Sequence, residues 1–230
     1  DTITLGEKDD TVTNSGDCAD TITAGAGNDT ATASGKGADS IDLGAGDDTV
    51  TSSGAGNDTI TGGDGNDTVT DAGADDDNIT LGAGNDVVTT AGAGNDTVDG
   101  GEGNDNITGG AGDDSLVGGA GNDTIADGTG NDTVTGGDGS DTINITTGND
   151  NVDAGADNDT ITITGLSGAD TIDGGAGTDS IEITNSSTGT LTPAFTNIES
   201  ATVKTSSAFN LSLTTATDKT SLKSYNISST

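Results

Sequence analysis

"GGDGNDTVT" occupies residues 62–70. Three glycines and then an aspartate, Asp67, lead up to one branched apolar residue, Val69, and nearly the same phrase returns along most of the chain. The branched position recurs as Ile3, Val12, Ile22, Ala31, Ile41, Val50, Ile60, Val69, Ile79, Val88, Val98, Ile107, Leu116, Ile125, Val134, Ile143, Val152, Ile161, Ile172 and Ile181, with Ala31 its one small member. An aspartate stands two residues before each of them. A glycine stands two residues before most of those aspartates; Lys8, Cys18, Asp75 and Asp157 take its place in four repeats. A fixed short period of this kind marks a solenoid.

The steps between branched residues alternate 9 and 10 from Ile3 to Val98, then hold at 9 to Ile161, then run 11 and 9. Extra residues therefore enter only at every second repeat. Two repeats must form one turn of a coil, with every insertion on the same edge. Segments such as "DTVT" and "NDTIT" are short and β-branched and suit a strand. Segments such as "AGAG" and "GGDG" read as turn and not as strand, since glycine permits positive φ and tight reversal. Strands of about three residues between turns of about six predict a parallel coil with two strands per turn. Odd repeats stack into one sheet and even repeats into the other. The branched residue points inward and its two neighbours outward, because side chains alternate along a strand.

The composition sets the terms on which such a coil can fold. The 230 residues include 40 Gly, one Pro, two Phe, one Tyr and no Trp, Met or His, and the net charge is −35. So acidic a chain with so few aromatics would ordinarily be disordered, but disorder needs no fixed spacing. The charge excludes nucleic acid, which requires a basic footprint. No apolar run approaches the roughly 20 residues of a membrane span, and no signal peptide is visible. Cys18 is the only cysteine, so no internal disulfide forms. With no Met, residue 1 is not an initiator, and the chain is expected to be a processed product or a piece of something longer.

One branched core side chain per nine residues buries too little apolar surface to offset the ordering of the whole repeat. Stacking also brings the aspartates into a column on each edge, about 5 Å apart at parallel-strand spacing, where like charges repel. The columns are expected to hold cations. Calcium fits: it is hard, takes six to eight oxygens, and accepts carboxylates together with carbonyls exposed by glycine turns. The absence of His and of a Cys pair argues against zinc and copper.

"GGDGNDTVT" at 62–70, "GGEGNDNIT" at 100–108 and "GGAGNDTIA" at 118–126 match the pattern G-G-x-G-x-D-x-U-x at every fixed position. On these residues the chain resembles the RTX (repeats-in-toxin) calcium-binding family, most of all the RTX region of a bacterial surface-layer protein. The resemblance covers residues 1–182. It implies an all-β parallel β-roll, a right-handed solenoid of two nonapeptides per turn, with each ion between successive turns. The aspartate of one loop and the one two repeats later share the ion, and carbonyls of the Gly-x-Gly turn complete its shell. Carried onto this chain, the aspartates are Asp10, Asp20, Asp29, Asp39, Asp48, Asp58, Asp67, Asp77, Asp86, Asp96, Asp105, Asp114, Asp123, Asp132, Asp141, Asp150, Asp159, Asp170 and Asp179. The turn glycines are Gly25, Gly27, Gly35, Gly37, Gly44, Gly46, Gly54, Gly56, Gly63, Gly65, Gly82, Gly84, Gly92 and Gly94. They continue as Gly101, Gly103, Gly110, Gly112, Gly119, Gly121, Gly128, Gly130, Gly137, Gly139, Gly175 and Gly177. Nine gaps on each of two edges allow up to 18 ions, and loops that lack a turn glycine lower the expectation to roughly 14–17.

Past residue 182 the composition changes. Residues 183–230 carry a net charge of +1 against −36 for residues 1–182, and the glycine loops vanish. Ala201/Val203, Phe209/Leu211/Leu213 and Tyr225/Ile227 alternate with polar residues, which predicts strands. This Thr/Ser-rich β segment is expected either to cap the roll or to continue it in longer turns without calcium.

No catalytic arrangement is present: without His there is no Ser-His-Asp triad, and the paired carboxylates sit in the columns, where a metal-neutralised ladder makes a poor general acid. The chain therefore reads as non-enzymatic. The first functional reading is a calcium-stabilised structural segment of a secreted bacterial surface protein of surface-layer type, self-associating into a lattice. The second is the secretion and folding module of a larger exported enzyme, toxin or adhesin. For both, the resemblance implies type I export. A third, ice binding, rests on outward Thr pairs at 11/13, 30/32, 49/51 and 68/70. Thr is also simply a good strand former on a solvated face.

Overall fold

The computed structural model describes residues 1–230 except 53, 72, 91, 168, 186–189, 192, 206–209, 212–223 and 230. Every regular element among the described residues is a β-strand. Most strands lie in two large parallel sheets, one of eleven strands and one of twelve, and the first twenty strands of the chain alternate between them. Thr59–Asp64 pairs with Asn78–Ala83 in the first sheet, and Thr68–Asp71 pairs with Val87–Thr90 in the second. The result is a solenoid of about ten turns with two strands per turn.

The register puts like on like. Ile41, Ile60, Ile79 and Val98 are direct partners in one sheet, and Val50, Val69, Val88 and Ile107 in the other. All of them are fully buried between the sheets, with their neighbours, mostly Thr but also Ser40, Asp42, Asn78, Val87, Asp99 and Asn106, on the outer faces. A one-residue slip would turn each of these side chains to solvent, so the period fixes the register. The insertions all fall where the chain passes from the twelve-stranded to the eleven-stranded sheet, as the alternating spacing requires.

Two features depart from the sequence reading. First, the glycine segments are not turn alone. Thr59–Asp64 runs through Gly62 and Gly63, and Gly63 pairs with Gly82 in the same ladder as Ile60 with Ile79. Each turn lies on an almost identical turn, so the parallel hydrogen bonding carries on around the corner; Gly65 N–H donates to the Ala83 carbonyl at 2.7 Å and Gly84 N–H to the Glu102 carbonyl at 2.7 Å. Gly63 holds φ at 115°, a conformation open to glycine. A Cβ there would overlap the Gly44 carbonyl below it. Second, the core has more than one side chain per repeat. Because the strands are longer than expected, the residue two after the branched position also faces inward, adding Ala24, Leu43, Leu81, Ala154, Ile145, Ile163 and Ile183.

The sheets run past residue 182. Ala194–Thr196 pairs with Thr171–Asp173, Ser200–Thr205 with Ser180–Asn185, and Ser224–Ser229 with Ser200–Thr205. Asn210–Leu211 forms a separate short ladder with Thr190–Leu191. Phe209 and Leu213, expected in the same strand as Leu211, lie outside the described residues.

Candidate metal centre

The aspartates stack on both edges. Asp10, Asp29, Asp48, Asp67, Asp86, Asp105, Asp123, Asp141, Asp159 and Asp179 line one edge, and Asp20, Asp39, Asp58, Asp77, Asp96, Asp114, Asp132, Asp150 and Asp170 the other. All except Asp10 are buried. The lock is the same at nearly every rung: the backbone N–H of each aspartate donates to Oδ1 of the aspartate one turn further on. Asp67 N–H to Asp86 Oδ1 is 2.7 Å, Asp86 N–H to Asp105 Oδ1 is 2.8 Å, and Asp114 N–H to Asp132 Oδ1 is 2.8 Å.

The second oxygen has no such partner. Oδ2 is buried without a hydrogen bond at Asp20, Asp29, Asp48, Asp67, Asp86, Asp105, Asp114, Asp123, Asp132, Asp141, Asp150, Asp159 and Asp179. Leaving one buried polar atom unsatisfied costs about 1–3 kcal/mol, and more for a charged one. Burial accordingly pushes the carboxyls up. Asp67, Asp86, Asp96, Asp132 and Asp159 rise to about 6 and Asp141 to about 7, partly held down by the N–H each accepts. Among the described residues no lysine reaches the columns; Lys36 pairs with Asp17 and Lys204 with Glu182. Columns of buried carboxylate oxygens next to carbonyl-rich turns, with no nitrogen or sulfur donors, fit multiple calcium ions.

The two edges differ in their glycines. Gly25, Gly27, Gly44, Gly46, Gly63, Gly65, Gly82, Gly84, Gly101, Gly103, Gly119, Gly121, Gly137 and Gly139 all take positive φ on the first edge. On the second edge Gly56, Gly110, Gly112, Gly128 and Gly130 do so, whereas Gly35, Gly37 and Gly94 do not; in the last loop of the first edge, before Asp179, Gly175 has positive φ and Gly177 does not. At Gly35, Gly37 and Gly94 close approach replaces conformation as the requirement: a Cβ on Gly35 would overlap the Gly16 carbonyl, and one on Gly94 the Asp75 carbonyl. Gly155, which the sequence reading passed over, also has positive φ, and Asp157 stands at φ 76° where the repeat has its second turn glycine. Aspartate is among the few other residues that tolerate this region.

Several polar groups beside the columns escaped the sequence reading. Glu199 takes the rung after Asp179, accepting the Asp179 N–H at 2.8 Å. Ser52, Asp71 and Asp127 are buried two residues after a branched position. Ser52 donates to Asp58 Oδ2 at 2.6 Å. Burial of Asp77, reinforced by Asp71 beside it, holds the Asp77 carboxyl far above its usual range. The signal was available: strand alternation turns that position inward, where a polar residue is out of place.

The family model for the RTX calcium-binding nonapeptide repeat matches residues 1–31, 33–53, 52–70, 71–89, 90–125, 117–144 and 162–182, well over half of the chain. No curated protein and no solved structure matches it. Between the last two matched segments both columns continue without a break, one through Asp150 and the other through Asp159.

Proposed function

Because the chain belongs to the RTX calcium-binding nonapeptide repeat family, we propose that it is a calcium-stabilised structural segment of a secreted bacterial surface protein of surface-layer type, folding and assembling outside the cell. The observation that carries this reading is the buried, unpartnered Oδ2 at rung after rung. In each gap the aspartate of one turn and that of the next, such as Asp67 and Asp86, hold one ion, and carbonyls of the Gly-x-Gly turn complete its oxygen shell. The same assignment extends to all the stacked aspartates from Asp10 to Asp179, for roughly 14–18 ions. The aspartates serve as ligands and not as acids or bases, and the chain is non-enzymatic.

A single rung tests the ligand assignment. Asp105 accepts the Asp86 N–H and donates its own N–H to Asp123 Oδ1, both at 2.8 Å. Asp105→Ala is expected to disturb two adjacent gaps, with one to two fewer ions bound and a several-fold higher calcium requirement for folding. Asp17 is exposed and meets only the Lys36 amine at 3.3 Å. Exposed pairs contribute about 0–1 kcal/mol, so Asp17→Ala should leave both quantities unchanged. Equal losses for the two, by metal analysis and circular dichroism, would mean that overall acidity matters and register does not.

The surface-layer reading draws on charge and on the outer faces. Uncompensated, a net charge of −35 keeps copies apart. With the columns neutralised, the roll presents ranks of Thr, such as Thr30, Thr49 and Thr68 in register, suited to extended polar contacts. Full-length protein is expected to form sheets or large oligomers in calcium that dissolve in chelator, as seen by electron microscopy and light scattering. A calcium-folded protein that stays monomeric at high concentration rejects the lattice and favours the alternative, an RTX secretion and folding module of a larger exported protein.

A further inference from the structure

The first glycine of the nonapeptide lies directly beneath the ladder aspartate of its own loop. A Cβ on Gly109 would come within 2.7 Å of Asp114 Oδ2, and one on Gly136 within 2.5 Å of Asp141 Oδ2. In the loop at 127–132, "DGTGND", that glycine is replaced by Asp127, which is completely buried. Its carboxylate is aimed by two backbone donors: Gly128 N–H reaches Oδ1 at 2.6 Å, and Thr146 N–H is shared between Oδ1 at 3.0 Å and Oδ2 at 3.2 Å. Carboxylate oxygens of Asp127, Asp132 and Asp150 lie within 4.8 Å of one another, all buried. Oδ2 of Asp132 and of Asp150 has no hydrogen-bond partner. Ile145 occupies the matching inward position on the next turn and is itself buried. From the same position Ser52 reaches Asp58 Oδ2, and Asp71 occupies it three turns earlier, but among the described residues only the Asp127 group brings three carboxylates together.

We propose that Asp127, Asp132 and Asp150 form an interior three-carboxylate site for a hard cation, distinct from the two-carboxylate gaps along the rest of the roll. It holds its ion more tightly than those gaps and discriminates more strongly in favour of higher charge, since affinity for such ions follows ligand charge count. Asp127 is then a direct ligand supplied from the sheet interior, and the solenoid is a graded series of sites with its strongest near the middle of the chain. The inference rests on the calcium reading of the columns, and the test separates the two.

Calcium-loaded full-length chain is titrated with terbium(III), followed by directly excited luminescence and by lifetimes in light and heavy water. The wild-type chain is expected to take up one equivalent about tenfold or more tightly than the remainder, with few coordinated waters. Asp127→Asn and Asp127→Gly, the latter restoring the repeat's own glycine, should both lose that equivalent and titrate as a single class. Identical titrations for wild type and both variants overturn the proposal. Calcium-induced folding of Asp127→Gly, read by circular dichroism, reports on the columns independently of Asp127. Should the variants fold poorly, anomalous scattering from wild-type crystals soaked with limiting terbium decides: density confined to the Asp127, Asp132 and Asp150 site supports it, and density spread evenly over the gaps rejects it.

Discussion

In chelator the chain is expected to give the circular dichroism of an unfolded polypeptide, and millimolar calcium should convert it to a β-sheet spectrum in one cooperative step. The second inward row enlarges the core beyond one side chain per repeat, but several of its places are taken by Ala, Gly or polar residues, among them Gly62, Gly100, Ser52 and Asp71. What remains must overcome both the ordering of a glycine-rich backbone and the confinement of eighteen buried ladder carboxylates from Asp20 to Asp179. Their Oδ1 atoms are satisfied by the preceding turn, but most Oδ2 atoms have no partner within the protein. A group that binds only the folded chain stabilises it by mass action. Many sites along one coil make that linkage steep. The effect is the loss or gain of the entire fold; a stable β spectrum persisting in chelator would sink it.

Protons are expected to replace calcium in part, with the opposite pH dependence. In the metal-free fold the carboxyls of Asp67, Asp86, Asp96, Asp132 and Asp159 sit at about 6 and that of Asp141 at about 7, raised by burial above the unfolded value of 3.8. Groups whose folded values are raised contribute stability that is fully present below the unfolded value and is lost as pH rises through the folded one. Calcium-free chain should therefore gain β-structure on acidification to about pH 4 and lose it between about pH 6 and 8. With calcium the direction reverses: the ligands must be ionised, so acid expels the ion and each binding event near pH 6 releases protons. Circular dichroism against pH, with and without calcium, together with proton release in a weakly buffered titration, checks both arms. A calcium-free chain equally unfolded at pH 4 and pH 8 would mean that desolvation of the carboxyls is not what opposes folding.

Much of the architecture was legible because it repeats. Spacing of 9 and 10 between branched residues gave two strands per turn and put every insertion on one edge; Ile60 over Ile79 and Val69 over Val88 are its direct consequence. The aspartates two residues ahead of them form the two columns for the same reason. Glu199 was not legible, because it follows the last glycine loop and only the pairing of Ser200–Thr205 with Ser180–Asn185 brings it over Asp179.

By itself, then, the sequence determined the period, the inward-facing row and the acidic columns, since these depend only on residue spacing and on the alternation of side chains along a strand. Where each strand ends was decided by tertiary structure. The ladder through Gly63 and Gly82 exists because one turn hydrogen-bonds to the turn 19 residues away, an interaction that no local propensity contains. That extension of the strand turns one more residue inward and so converts Leu43 and Ile145 into core, while the stacking of turn on turn makes Asp127, just past the end of its strand, a buried neighbour of Asp132 and Asp150.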